Sequence, residues 1–442
     1  MSAPTKKEKM IWVMSDLSNI NAGVFATTKE QLRINANRVK TAISSDPDIS
    51  AYLPGFNVVW GVETKNEQLT VKEKVTSEED EALEGTREVT GYATTNCMYV
   101  AKGPHPEDAG RFLYVVAIAG TNLISADGWF VEDLEVGGTM VPWPLGVSHS
   151  YQGKVSRGTA DGVNALLAMR ENGTGQAFVE YISGVLSSGE RAEVAVCGHS
   201  LGGALAPCIA AALASYQPWT TRGNINVSCY PTAGPTPGDQ DFANHVINTL
   251  GTANFTPRAN TLDIVPKNWA ESTMANVGTI YADQKIVEPG NEGVPESALL
   301  KGFVSWIHSL KGTNKYARIG TDIPFTAPVL TQKESDLVNA AQTFWGKAGW
   351  EAHIAINTII EKFGGNTAYH IKYIEDLMAY AFEAGHQHTS VYGQYCFEIP
   401  ANVATAIGKY ISLKHLSPGA TAELEAIISK LITDVYHYAN QS

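Results

Sequence analysis

The sequence predicts an α/β fold: a mostly parallel central sheet with helices on both faces, plus a helical insertion and terminal extensions. Three observations predict it. From about Gly91 short apolar runs recur: Asn96–Lys102, Phe112–Ile118, Ala192–Gly198, Ile225–Tyr230 and Ala259–Val265. Helical patterns such as residues 161–169 and 173–189 lie between several of them, and strands that alternate with helices build parallel sheets. The runs are nearly continuous in apolar residues rather than alternating, as strands covered on both faces require.

Taken in order, residues 1–90 read as an N-terminal extension of helix plus strand. The stretch from Thr28 to Ile43 interleaves Leu32, Ile34, Val39 and Ile43 with charge, and Phe56–Thr64 is dense in β-formers. The acidic run Ser77–Gly85 reads as a solvated loop or helix start. Residues 91–287 form the predicted core. Residues 288–365 turn helical and read as an insertion or cap, and residues 366–442 hold further helices.

Composition sets the bounds. Of 442 residues, 44% are hydrophobic and 17% charged, the balance of a globular chain that can bury a large core without staples. A net charge of −13 argues against a general nucleic-acid binder, which needs a basic face to neutralise phosphates. Five widely spaced cysteines form no CxxC or Cys/His cluster, so neither a zinc site nor a disulfide framework is expected. The apolar run Met10–Met14 is shorter than the roughly 7–15 residues of a secretory core segment, and no stretch reaches the roughly 20 of a transmembrane span. The expectation is a cytoplasmic chain, or one exported by a leaderless route.

The chemistry concentrates at Val194–Ala214. Gly198-x-Ser200-x-Gly202 follows an apolar strand and opens a helix rich in small residues, the setting of a nucleophile elbow. Glycines flank the serine because the tight turn leaves no room for Cβ atoms. The helix start offers unpaired N–H groups to a developing oxyanion. A serine hydroxyl needs a base, and the base an orienting acid. Asp263, near the end of a strand run and just before Pro266, is the expected acid. Seven histidines follow it: His308, His353, His370, His386, His388, His415 and His437. His370 after Gly364–Asn366 and the His386/His388 pair after Gly385 are the loop candidates, and position alone does not separate the two loops. The run Phe112–Ile118 leads into Gly120-Thr121, so the Thr121 N–H is the expected second oxyanion donor. Trp129 and Phe130 follow as candidate substrate or lid contacts, with His199 beside the nucleophile.

Together these pieces resemble the class 3 lipase family of α/β-hydrolases. Gly198–Ala206 resembles its elbow, Ile118–Leu134 its oxyanion strand and lid segment, Tyr230–Ala243 its Gly-x-Pro…Gly-Asp tract, and Arg258–Pro266 its acid segment. His370-Ile-Lys-Tyr373 resembles the family's His-x-x-Tyr ending. The resemblance implies an α/β-hydrolase fold and a triad of Ser200, Asp263 and His370, with His388 as the alternative base. It implies Thr121 and Leu201 as the oxyanion hole. Three departures stand out: Ala119 replaces an arginine, Ser156 stands where a histidine is usual, and Asp263 and His370 are 107 residues apart. The implied activity is hydrolysis of carboxylic esters without metal or organic cofactor, first as a lipase on acylglycerols. A phospholipase or an esterase for short or aromatic acyl groups is the alternative. A binding protein that keeps the elbow as a structural turn, or an acyl transferase, completes the set. The expected partners are a small ester or lipid substrate and a transient lipid interface, with no nucleic acid.

Overall fold

The computed structural model describes residues 3–22, 24–75, 85–120, 136–143, 153–215, 224–282, 304–305, 307–329, 380, 383–389 and 391–411. Their frame is one sheet. Among the described residues it holds eight strands: β1 (Phe25–Ala26), β2 (Asn57–Val75), β3 (Gly85–Pro104), β4 (Phe112–Ile118), β7 (Ala192–His199), β8 (Ile225–Thr232), β9 (Arg258–Asn260) and β10 (Ile323–Phe325). A separate two-stranded pair, β5 (Val141–Pro142) and β6 (Lys154–Val155), lies off it. The order β1-β3-β4-β7-β8-β9-β10 is parallel from β4 to β10, while β2 and β4 both run antiparallel to β3. The sheet is mostly parallel with helices on both faces, an α/β-hydrolase fold.

The apolar runs work as the pattern requires. In β4, Leu113, Val115 and Ala117 pack into one hydrophobic cluster and Tyr114, Val116 and Ile118 into another, so both faces are buried. The first face carries α1 (Lys6–Leu17), α2 (Lys29–Ser45), α3 (Pro47–Tyr52) and a C-terminal helix, Ala401–Ile411. The second carries α4 (Arg157–Leu167), α5 (Phe178–Ser187), α6 (Leu201–Ser215) and α7 (Gln240–Leu250). In α1, Thr5 and Glu8 form a reciprocal capping box, and Met10–Met14 is buried on nearly every side. The apolar run at the start of the chain is a core helix.

Two segments differ from their sequence reading. The boundary expected at residue 90 falls inside β3, and β2 pairs with β3 along nearly its whole length. The stretch 288–365, read as helical, contributes β10 to the sheet, parallel to β9. Three residues are too few to show a period. Among the described residues β10 is an edge strand, a position where Pro324 is tolerated.

Candidate active site

Ser200 follows β7 directly and precedes α6, and its φ of +58° places a non-glycine residue in the left-handed region. Such a conformation costs energy and persists only where the surroundings enforce it. They do so through backbone. The Ser200 N–H donates to Thr232 O at 3.1 Å, and a Cβ on Gly202 would stand 2.3 Å from Ile118 O. A Cβ on Gly198 would stand 2.3 Å from the Gly202 carbonyl, and one on Gly203 2.4 Å from Thr232 O. The three glycines let β4, β7, β8 and α6 meet at one point, and the serine sits on the turn between them. Leu201 is the first residue of α6, so its N–H has no acceptor within the helix.

The acid arises where β9 ends. The Asp263 N–H donates to Asn260 O, and Oδ1 accepts the Val265 N–H at 2.9 Å, an Asx-type turn that stops the strand. The side chain is fully buried. Its Oδ2 accepts His388 Nδ1–H at 2.9 Å and the Tyr392 hydroxyl at 2.8 Å. His388 ends the helical segment 383–388, which a buried polar network ties to β9: Asn260 Nδ2 donates to both oxygens of Gln387, and Gln387 Nε2 donates to Glu383 and Pro328 O. Tyr392 opens a π-helical turn, Tyr392–Cys396, closed by Phe397 N–H to Tyr392 O.

His199 joins the two halves. Its ring centroid lies 4.7 Å from that of His388, and its edge meets Trp12 at 5.4 Å and Tyr392 at 5.1 Å. Burial, with the neighbouring His388, holds the His199 proton affinity well below the usual imidazole value. Burial first, then the Asp263 charge, raises the Tyr392 phenol well above its ordinary range, so it remains a donor. Among the described residues no group of three or more His, Cys, Asp or Glu side chains is arranged to hold a metal.

Residues 115–272 match the family described as Lipase (class 3). Over that stretch, about a third of the chain, the sequence is similar to that family. The chain is also similar to M37 lipase, with 21% identity over 98% of this chain and 99% of that one and a TM-score of 0.58, a likeness of fold from end to end. The lipase of Rhizopus microsporus var. chinensis matches at 18% identity over 55% of this chain and 70% of its own, TM-score 0.31. A triacylglycerol lipase of Penicillium expansum matches at 18% over 56% and 77%, TM-score 0.30. No curated protein matches the chain.

The family match spans the elbow and Asp263 but not the candidate histidines, which lie far beyond residue 272. His370, Thr121, Trp129 and Phe130 fall outside the described residues. The histidine that Asp263 holds is the alternative, His388. His199, grouped with the lid contacts, is instead enclosed by Trp12, Tyr392 and His388, because the end of a central strand points into the core. Tyr392, Asn260 and Trp12 were missed. The family's His-x-x-Tyr spacing points to His370 and Tyr373, whereas His388 and Tyr392 are four apart, and nothing local marks Asn260 or Trp12 as neighbours of a catalytic group.

Proposed function

We propose that the protein is a serine carboxylic-ester hydrolase, a lipase acting first on acylglycerols. The observation that carries the reading is the 2.9 Å hydrogen bond between Asp263 and His388, whose ring lies 4.7 Å from that of His199, the residue before a serine held at positive φ on a strand–turn–helix elbow. In this reading Ser200 Oγ attacks the ester carbonyl while His388 Nε2 takes its proton. Asp263 commits Nδ1 and so selects the tautomer whose Nε2 accepts. The Leu201 N–H, with Thr121 as the second donor, stabilises the tetrahedral oxyanion. His388 then protonates the leaving alcohol, and water activated by the same ring releases the acid from the acyl-enzyme.

Ser200 Oγ makes no hydrogen bond among the described residues. The reading has its contact with His388 close as substrate arrives, which is common for catalytic hydrogen bonds. A fluorophosphonate tests it. One adduct on Ser200, absent from Ser200→Ala, supports the reading. A folded wild-type protein that takes no adduct, with or without detergent, and hydrolyses no ester overturns it. Rates on acylglycerols, phospholipids and short-chain esters then decide the substrate class, and products formed with added alcohols test for acyl transfer.

A further inference from the structure

The end of β4 carries a contact from outside the family match. The antiparallel ladder with β3 ends at Met98 opposite Ile118, and the next amide, Ala119 N–H, donates to Cys97 O at 2.9 Å. The amide after that, Gly120 N–H, donates to the side chain of Asn19, whose Oδ1 accepts at 2.8 Å. Asn19 therefore supplies an acceptor to the amide just beyond the end of the ladder. Gly120 itself abuts the elbow: a Cβ there would stand 2.9 Å from His199 O and 3.3 Å from the Ser200 Cβ.

Asn19 sits in a short 3-10 turn, Ser18–Asn21, anchored on all sides. Ser18 Oγ donates to Ser15 O, Asn21 Nδ2 to Leu32 O and Thr94 Oγ1, and Asn35 Nδ2 to Ile20 O. The preceding helix reaches the other side of the centre, where Trp12 packs on His199 and stacks with Tyr392 and Phe397. Since its N–H is spent on Asn19, Gly120 is not itself an oxyanion donor. Its peptide directly precedes Thr121, which the sequence assigns to that role.

We infer that Asn19 is a positioning residue of the proposed active centre: its side chain pins the Gly120 peptide against the nucleophile elbow. The N-terminal segment thereby completes a centre whose nucleophile and acid lie in the lipase core. The inference rests on the ester-hydrolase reading. A Gly120 peptide held beside Ser200 keeps the elbow pre-organised for the charge that develops in the tetrahedral intermediate, and contributes little to binding the uncharged ester.

The test compares wild type, Asn19→Ala and Asn21→Ala in the full chain. Asn21 belongs to the same turn but is not bonded to Gly120. The readouts are kcat and KM for p-nitrophenyl butyrate per fluorophosphonate-titrated serine, Ki for a trifluoromethyl ketone that forms a hemiketal oxyanion, and Tm. Asn19→Ala is expected to lower kcat about tenfold and weaken the ketone in step, with KM within about twofold. That is less than the loss of a direct oxyanion donor, since Asn19 acts through the Gly120 peptide. Asn21→Ala is expected to lower Tm and spare kcat and Ki. If Asn19→Ala keeps kcat and Ki, or if both variants lower kcat alike, Asn19 is merely structural and the inference is overturned. If Asn19→Ala yields no folded protein, Asn19→Ser, too short to hold Gly120 in the same way, takes its place under the same criteria. A wild type that neither takes the phosphonate nor cleaves ester overturns the hydrolase reading itself, and the inference with it.

Discussion

The Tyr392 hydroxyl donates to Asp263 Oδ2 at 2.8 Å, the same oxygen that orients His388. Tyr392 also accepts the Asn260 N–H at 3.0 Å, so one phenol fixes both the carboxylate and the strand end that presents it. Tyr392→Phe leaves the Asn260 amide buried without that acceptor and removes a donor from Asp263. The expected result is a loss of about 1–3 kcal/mol in unfolding free energy by denaturant titration, with kcat reduced less than in any triad variant. Unchanged stability would mean that the contact carries no weight.

The triad variants separate the two candidate bases. Ser200→Ala and His388→Ala are each expected to lower kcat by roughly a millionfold, and Asp263→Asn by roughly ten-thousandfold, on the precedent of other serine triads. His370→Ala is expected to retain turnover. Steady-state kinetics on purified, folded variants decides it, and a dead His370→Ala beside an active His388→Ala would reverse the assignment.

His199 predicts a pH dependence. Its folded-state proton affinity lies below the unfolded value, so below about pH 6.5 the unfolded chain binds a proton that the folded chain does not. Its contribution to stability is full above that pH and declines as the pH falls through it. His199→Gln should therefore show a shallower loss of Tm than wild type between pH 7 and pH 5. Parallel curves would refute it.

Asp16 predicts the opposite slope. Burial pushes its carboxyl up to about 7, so the folded protein holds a proton that the unfolded chain releases near pH 4. The site disfavours the ionised form, and stability is lost as the pH rises from about 4 through 7. Asp16→Asn should raise Tm at pH 8 by more than it does at pH 4, read by thermal melts at both. An equal effect at the two values would sink the idea.

The elbow predicts a steric limit. A Cβ on Gly202 would meet the carbonyls of Ile118 and Ala119 at 2.3 and 2.8 Å, both backbone atoms that no rotamer change can move. Gly202→Ala is expected to give insoluble or inactive protein, whereas Gly408→Ala, with open space around it, should fold with wild-type Tm and activity.

Signals that are local in the chain were legible in it. The two-sided burial of β4 and β7 is written in nearly continuous apolar runs, because each residue's environment is set by its own strand. The elbow is legible for the same reason: strand, Gly-x-Ser-x-Gly and helix are contiguous, and the close approach of three backbones admits only glycine beside the serine. Strand β10 was not legible, since three residues with a proline show no period. Neither was the length of β2 beyond Thr64, where polar residues pair with β3 and give up the apolar signal.

The sequence by itself determined the α/β fold, the strand–turn–helix elbow that carries Ser200, and an aspartate just past the end of a strand, each carried by a few neighbouring residues. Only the tertiary structure decided which histidine meets Asp263, for His388 stands 125 residues further on and reaches it through Asn260, Gln387 and Tyr392. It alone brought Asn19 to Gly120 and Trp12 to His199 across about a hundred residues or more. Such contacts leave no periodicity or spacing to read. They arise where the packing of α1 and of the segment 383–397 on a common sheet places their side chains, and that packing is a property of the whole core.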